Sequence, residues 1–177
     1  MFNNTIEASF RFVEGAQVTF EDLWFKVGGN YTTLLLWNSS DITCKQVYFE
    51  VTTPTNNEFF IYMDTHSKLT LEGVGMKVPE KHQSAIGMSA SELSIRNSTI
   101  FSKIDLSEGS KLTLENVHIE KFGNNTIHAK DSEVIAKNST STGGDLEKDF
   151  PPVWLRNVIW GSENCKIELP TGTGVCL

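Results

Sequence analysis

The sequence predicts an all-β protein, a parallel β-helix of about seven coils with three strands per coil, and three observations carry that expectation. A ten-residue phrase, Ser-x-Leu-Thr-Leu-x-Asn-Val-x-Ile in idealised form, recurs seven times in the 177 residues. The copies lie 19 to 27 residues apart, a period typical of solenoids, whose repeats bury their apolar faces only against their neighbours. Within a copy the apolar residues alternate, slip phase once and alternate again, as Leu112 and Leu114 do before Val117 and Ile119. Two short strands meeting at a corner produce that slip. The stretches between copies are too polar, β-branched and short for the helical half of a leucine-rich repeat.

Each coil is assigned in chain order. A first strand precedes every phrase and is marked by Phe10/Phe12, Leu34/Leu36, Ile61/Met63, Ile86/Met88, Ile104/Leu106 and Ile127/Ala129. A small residue then opens the phrase: Ala16, Ser40, Ser67, Ser91, Ser110, Ser132 and Pro151. Small side chains suit a column whose members stack at ~4.8 Å. The second strand follows, led by Val18, Ile42, Leu69, Leu93, Leu112, Val134 and Val153. The corner into the third strand is assigned to Asp22, Gln46, Gly73, Asn97, Asn116, Asn138 and Asn157. Asn, Asp and Gly tolerate the left-handed conformation of a tight turn.

Outward positions give an independent register. Glu21, Lys45, Glu72, Arg96, Glu115 and Lys137 alternate in sign, with Arg156 breaking the alternation in the last copy. Lys26, Glu50 and Lys77 alternate likewise on the third strand, and Thr19, Thr43, Thr70, Ser94 and Thr113 form a polar column. Opposite charges on adjacent strands are mildly favourable and like charges are not.

These columns resemble the coil of the right-handed, single-stranded parallel β-helix superfamily, the pectin-lyase-like fold, over residues 10 to 169. That superfamily includes polysaccharide lyases and hydrolases, phage tailspikes, autotransporter passengers and adhesins. The resemblance is adhesin- or passenger-like rather than to one enzyme family, although the Gly-Gly-Ala-Ile and Phe-x-x-Asn tetrapeptides of polymorphic adhesins are missing. One domain is expected over 1–177, with a loop insertion at 141–152 and a tail at 170–177. Lys166–Leu169 reads as the opening of an eighth coil, and neighbouring repeats of a longer chain are expected partners of the array.

With a net charge of −7, nucleic acid and anionic membrane are not expected partners. No apolar run approaches the ~20 residues that cross a bilayer, and MFNNTIEASF lacks the features of a secretion leader. Of three cysteines, Cys44 reads as a buried thiol, while Cys165 and Cys176 flank KIELPTGTGV, a segment able to turn back and let them bridge. Such a disulfide would imply an oxidising compartment. No Cys/His grouping suggests a metal, and no cofactor is expected.

The resemblance directs attention to the outer face of the first strand, where family enzymes work. Leu35, Trp37 and Tyr62 interrupt an otherwise polar exterior there, with Trp24 and Tyr48 forming a second aromatic column on the third strand. Leu35, Trp37, Tyr62 and the neighbouring Asp64 are the candidate binding residues. Three readings stand for this patch: core covered by the loops Thr52–Phe59 and Lys77–Ala85, a protein interface, or a glycan platform. The carboxylates Asp64 and Asp105 are spaced at ~11 to 12 Å by coil geometry, beyond the ~6.5 to 9.5 Å of an inverting glycosidase pair. His66, His82, His118 and His128 fall on different coils and read as solvated or structural. The Asn-x-Ser/Thr sites at Asn97 and Asn138 coincide with corners that need those side chains locally.

The expected function is a non-enzymatic segment of a surface or secreted protein, serving as a rigid stalk or adhesin-like surface for a glycan or protein ligand. A carbohydrate-active enzyme or an intracellular protein-binding inhibitor or scaffold are the alternatives, since one architecture hosts all three.

Overall fold

A computed structural model describes residues 4–6, 10–27, 34–51, 59–78, 84–122, 126–144, 152–168 and 174–176. The described chain is a right-handed parallel β-solenoid without helix. A short strand β1 (Asn4–Ile6) precedes five coils of three strands each. They are β2 (Phe10–Phe12), β3 (Gln17–Glu21) and β4 (Leu23–Val27), then β5 (Leu34–Leu36), β6 (Asp41–Lys45) and β7 (Tyr48–Val51). The third comprises β8 (Phe59–Met63), β9 (Lys68–Glu72) and β10 (Gly75–Lys77), the fourth β11 (Ser84–Ser89), β12 (Glu92–Arg96) and β13 (Thr99–Phe101). The fifth contains β14 (Ile104–Ser107), β15 (Lys111–Glu115) and β16 (His118–Phe122). Two further coils follow, β17 (Ile127–Lys137) with β18 (Thr140–Gly144), and β19 (Val153–Glu163) with β20 (Lys166–Glu168). The terminal β21 (Gly174–Cys176) pairs antiparallel with β20.

In the last two coils the first and second strands are one continuous strand, a departure from three strands per coil. The cause is the length of the first corner. In the first, second, third and fifth coils it carries two residues of positive φ: Glu14 and Gly15, Asn38 and Ser39, Thr65 and His66, Glu108 and Gly109. In the sixth and seventh it carries one, Asp131 or Asn157, so neighbouring strands stay in register through the bend. The fourth coil also has a single such residue, Ala90, but lies between two wider corners.

The small-residue column does more than relieve crowding. Ser40, Ser67, Ser91, Ser110 and Ser132 are buried, and each donates its hydroxyl to the carbonyl of Trp37, Asp64, Ser89, Ser107 or Lys130 at 2.6–2.8 Å. These bonds satisfy carbonyls that the corner withdraws from the ladder. At the second corner Asp22, Gln46, Gly73, Asn97, Asn116 and Asn138 all have positive φ, as expected. Amides stack there, Asn116 Nδ2 donating to Asn97 Oδ1 at 3.1 Å.

The seventh phrase is where the sequence reading fails. Val134 pairs with Trp160, seven residues beyond the expected Val153, which instead pairs with Ile127 on the first strand. Asn157 is therefore a first-corner residue bonded to Asp131 at 2.8 Å, and Asn164 makes the second corner, donating to Asn138 at 3.2 Å. Both corners use the same left-handed chemistry, so a short phrase ending in Asn fits either. The shift completes the outward charge column, because Glu163 rather than Arg156 follows Lys137, at 3.3 Å. It also makes Lys166–Glu168 the third strand of the seventh coil, paired with β18, instead of the start of an eighth.

The core runs down the axis, with Phe25, Phe49 and Phe60 near the start, Ile, Leu and Met in the middle, and Ala129, Val134 and Ala136 toward the end. Cys44 is a buried thiol whose pKa desolvation pushes up to about 12. Cys165 is also a free, buried thiol, donating to the Glu163 carbonyl at 3.4 Å. Cys165 continues the inward column of Ser98 and Ser139, and the backbone register pairs Cys176 with Lys166; the side chain of Cys176, the other half of the expected bridge, lies outside the described residues. Of the expected 141–152 loop, residues 141–144 belong to β18 and 145–151 lie outside the described residues.

Candidate functional site

Strand alternation builds the first face from two outward columns. One runs Arg11, Leu35, Tyr62, Gly87, Asp105, His128 and Trp154, as backbone pairing shows directly. Gly87 is the step at which the column has no side chain. The Phe59 ring occupies that space so closely that a Cβ at residue 87 would collide with it. Phe59 in turn packs on Tyr62, with ring centroids 5.6 Å apart. Next to the Phe59 ring lies a groove of about 400 Å³, lined by Phe59, Tyr62, Lys103, Asp105, His128 and Lys130 among others.

The polar wall is a connected set. Asp105 Oδ1 accepts from Lys103 Nζ at 2.9 Å and from His128 Nδ1 at 3.0 Å. The imidazole is held flat on Trp154, with centroids 4.4 Å apart and planes 25° from parallel. Nδ1 thus carries a proton toward the carboxylate, and in the neutral ring Nε2 is left as the acceptor. Beside it Ser89 Oγ donates to Glu108 Oε2 at 2.7 Å. The Tyr62 hydroxyl is held above its usual pKa, first by burial and then by the charges of Asp64 and Glu108, so it remains a donor at neutral pH.

Of the four residues singled out from the sequence, Tyr62 lines the groove. Leu35 and Trp37 are half-buried on the same face but stand to one side, toward the first coil. The Arg11 guanidinium covers the Trp37 ring at 4.3 Å, and the indole Nε1 is buried without a partner. Asp64 is committed to its own corner, its Oδ1 accepting from the Thr65 amide at 2.7 Å. Trp24 and Tyr48 do form an edge-to-face pair between β4 and β7, at 6.2 Å. Residues 52–58 and 79–83, most of the two segments considered as covers, lie outside the described residues.

Sequence reasoning missed the Lys103–Asp105–His128–Trp154 set. Asp105 and His128 were each considered, one as a carboxylate paired with Asp64 and one as an isolated histidine, and they lie 23 positions apart in sequence and one coil apart in space. Register pairing of that column was the available signal. Trp154 was beyond reach, because the misplaced seventh phrase assigned it to the second strand. Among the described residues no three His, Cys, Asp or Glu side chains converge to hold a metal, and no helix is long and apolar enough to cross a membrane.

Comparison of the chain with protein-family models, with curated proteins and with solved structures found no match to any of them.

Proposed function

We propose that this protein is a non-enzymatic β-solenoid of a surface or secreted molecule whose groove on the outer face of the first strands binds a saccharide. The observation that carries this reading is the groove beside Gly87, with the Phe59 and Tyr62 rings on one side and the Asp105–His128–Lys103 network on the other. A sugar ring offers apolar C–H faces to aromatic rings and hydroxyls to a fixed donor and acceptor array. The rigid coils hold that array without help from a ligand.

Binding is favoured over glycoside hydrolysis because hydrolysis calls for two cooperating carboxyl groups. Among the described lining residues Asp105 is the one carboxylate, and Lys103 and His128 both bind it. A cleaving enzyme is the second reading, favoured by His128, whose pairing with Asp105 suits a proton acceptor.

A glycan array with wild type, Tyr62→Ala and Trp37→Ala tests the proposal. Tyr62→Ala should weaken saccharide binding about two- to tenfold, the range for loss of one aromatic contact, while Trp37→Ala leaves it nearly unchanged. Release of new reducing ends from any polysaccharide would refute the binding-only role. Equal binding by wild type and Tyr62→Ala would remove the groove from consideration.

A further inference from the structure

The second strands present a further outer face, which the groove does not use. One edge of it reads Asp41, Lys68, Glu92, Lys111 and Glu133 down the second to sixth coils, and the other reads Lys45, Glu72, Arg96, Glu115 and Lys137. Thr43, Thr70, Ser94, Thr113 and Ile135 run between them. Sign alternates down each edge, and within every one of these coils the two edge residues carry opposite signs. The face is a checkerboard of charge with a mostly hydroxyl column along its middle.

Alternation down an edge serves register within the chain, as the Lys68–Glu92 and Lys111–Glu133 pairs at 3.1 Å show. The relative phase of the two edges does no such service, because residues four apart on a strand stand ~13 Å apart. A two-fold axis laid along the middle column, parallel to the solenoid, does depend on that phase. It sets each edge over the opposite edge of a second copy at the same coil. Asp41 then meets Lys45, Lys68 meets Glu72, Glu92 meets Arg96, Lys111 meets Glu115 and Glu133 meets Lys137, each twice, as an isologous contact requires. Ile135, the apolar member of the middle column and 37% exposed, comes to lie against its own copy.

We infer that two copies of this chain associate through this face, parallel and coil to coil. The face is built from described residues, and its charged side chains are about half exposed in the single chain, Lys68 at 54% and Glu92 at 57% among them. At ~3.3 Å per residue and ~4.8 Å per coil it covers on the order of 600 Å² per copy, below the ~800 Å² of a standard interface. The dimer is therefore weak, and its choice of partner is electrostatic. The seventh coil stands outside the pattern, since Ile159 has no charge to offer Glu163. The groove lies on the first strands and stays outside the contact.

Sedimentation equilibrium of the intact protein at low salt, up to about 1 mM, should show a monomer–dimer equilibrium that weakens as salt rises. Lys111→Glu sets a glutamate against Glu115 of the other copy twice and should weaken association about tenfold or more. Adding Glu115→Lys restores opposite signs at both contacts and should bring the dimer back to within about threefold of wild type, because the fifth coil meets the fifth coil. Should Lys111→Glu lower the thermal melt, Thr113→Lys and Thr113→Glu replace it. Each alone sets like charges face to face on the axis and should weaken association, whereas an equimolar mixture should form a heterodimer. A protein monomeric throughout, a dimer indifferent to salt, or one indifferent to these substitutions would overturn the inference. So would failure of Glu115→Lys, or of the mixture, to restore association, the result of an antiparallel pairing in which the fifth coil meets the fourth.

Discussion

Replacing Cys44 by alanine should remove much of the protein's sensitivity to alkali. The thiol lies at the centre of the second coil, and burial moves its pKa from an ordinary 9.0 to about 12. A raised folded-state value means that the folded chain holds a proton the unfolded chain gives up. Below about pH 9 both states are protonated and the linkage contribution is constant. Between about pH 9 and 12 stability falls by ~1.4 kcal/mol per pH unit, a loss on the order of 4 kcal/mol from this thiol over the interval. Deleting the sulfur should cost ~1 kcal/mol at neutral pH through lost packing. The two stability curves should therefore cross near about pH 10, the variant being the more stable above it. Urea unfolding followed by tryptophan fluorescence between about pH 8 and pH 11 measures this directly. Curves that remain parallel throughout would show that Cys44 ionises as readily in the fold as outside it, and would refute the burial argument.

Two further outcomes follow from the corners and the ladders. Gly73→Ala should destabilise by ~1–3 kcal/mol in thermal unfolding, because φ is +63° there and a Cβ would meet the Gln46 side chain stacked on it; Asn116→Gly, which keeps the left-handed turn but loses the amide bond to Asn97, should cost less. Lys137→Glu places like charges beside Glu115 and Glu163 and should lower stability by ~1 kcal/mol at low salt, an effect that about 1 M salt largely erases.

Most of the coil was legible because each column repeats one chemical demand. An inward leucine, a left-handed asparagine and an alternating charge recur often enough that a single exception does not hide the pattern. The seventh coil was misread because there the demands coincide. Pro151, Val153, Leu155 and Asn157 meet the demands for small residue, apolar, apolar and Asn at the right spacing, yet Val153–Asn157 forms the first strand and first corner. The charge break at Arg156 was the warning, and the true register removes it. The site was less legible than the fold for a geometric reason. Asp105 and His128 carry no local motif, and only stacking of coils brings them to 3.0 Å. Phe59 takes its place in the wall because Gly87 has no side chain, a role that draws no notice in a sequence until Phe59 and Tyr62 are placed around it.

The Tyr62–Gly87–Asp105–His128–Trp154 column behaves as a ruler. Its spacing is set by backbone hydrogen bonding between coils and not by the side chains mounted on it, so every mark but Gly87, whose space Phe59 fills, can change without moving the others. Under the proposed binding role, a substitution at one mark would edit one step of recognition at a known distance from the next. Such a surface would be retuned for a different repeating ligand by rewriting letters in a single line, the interior remaining as it was.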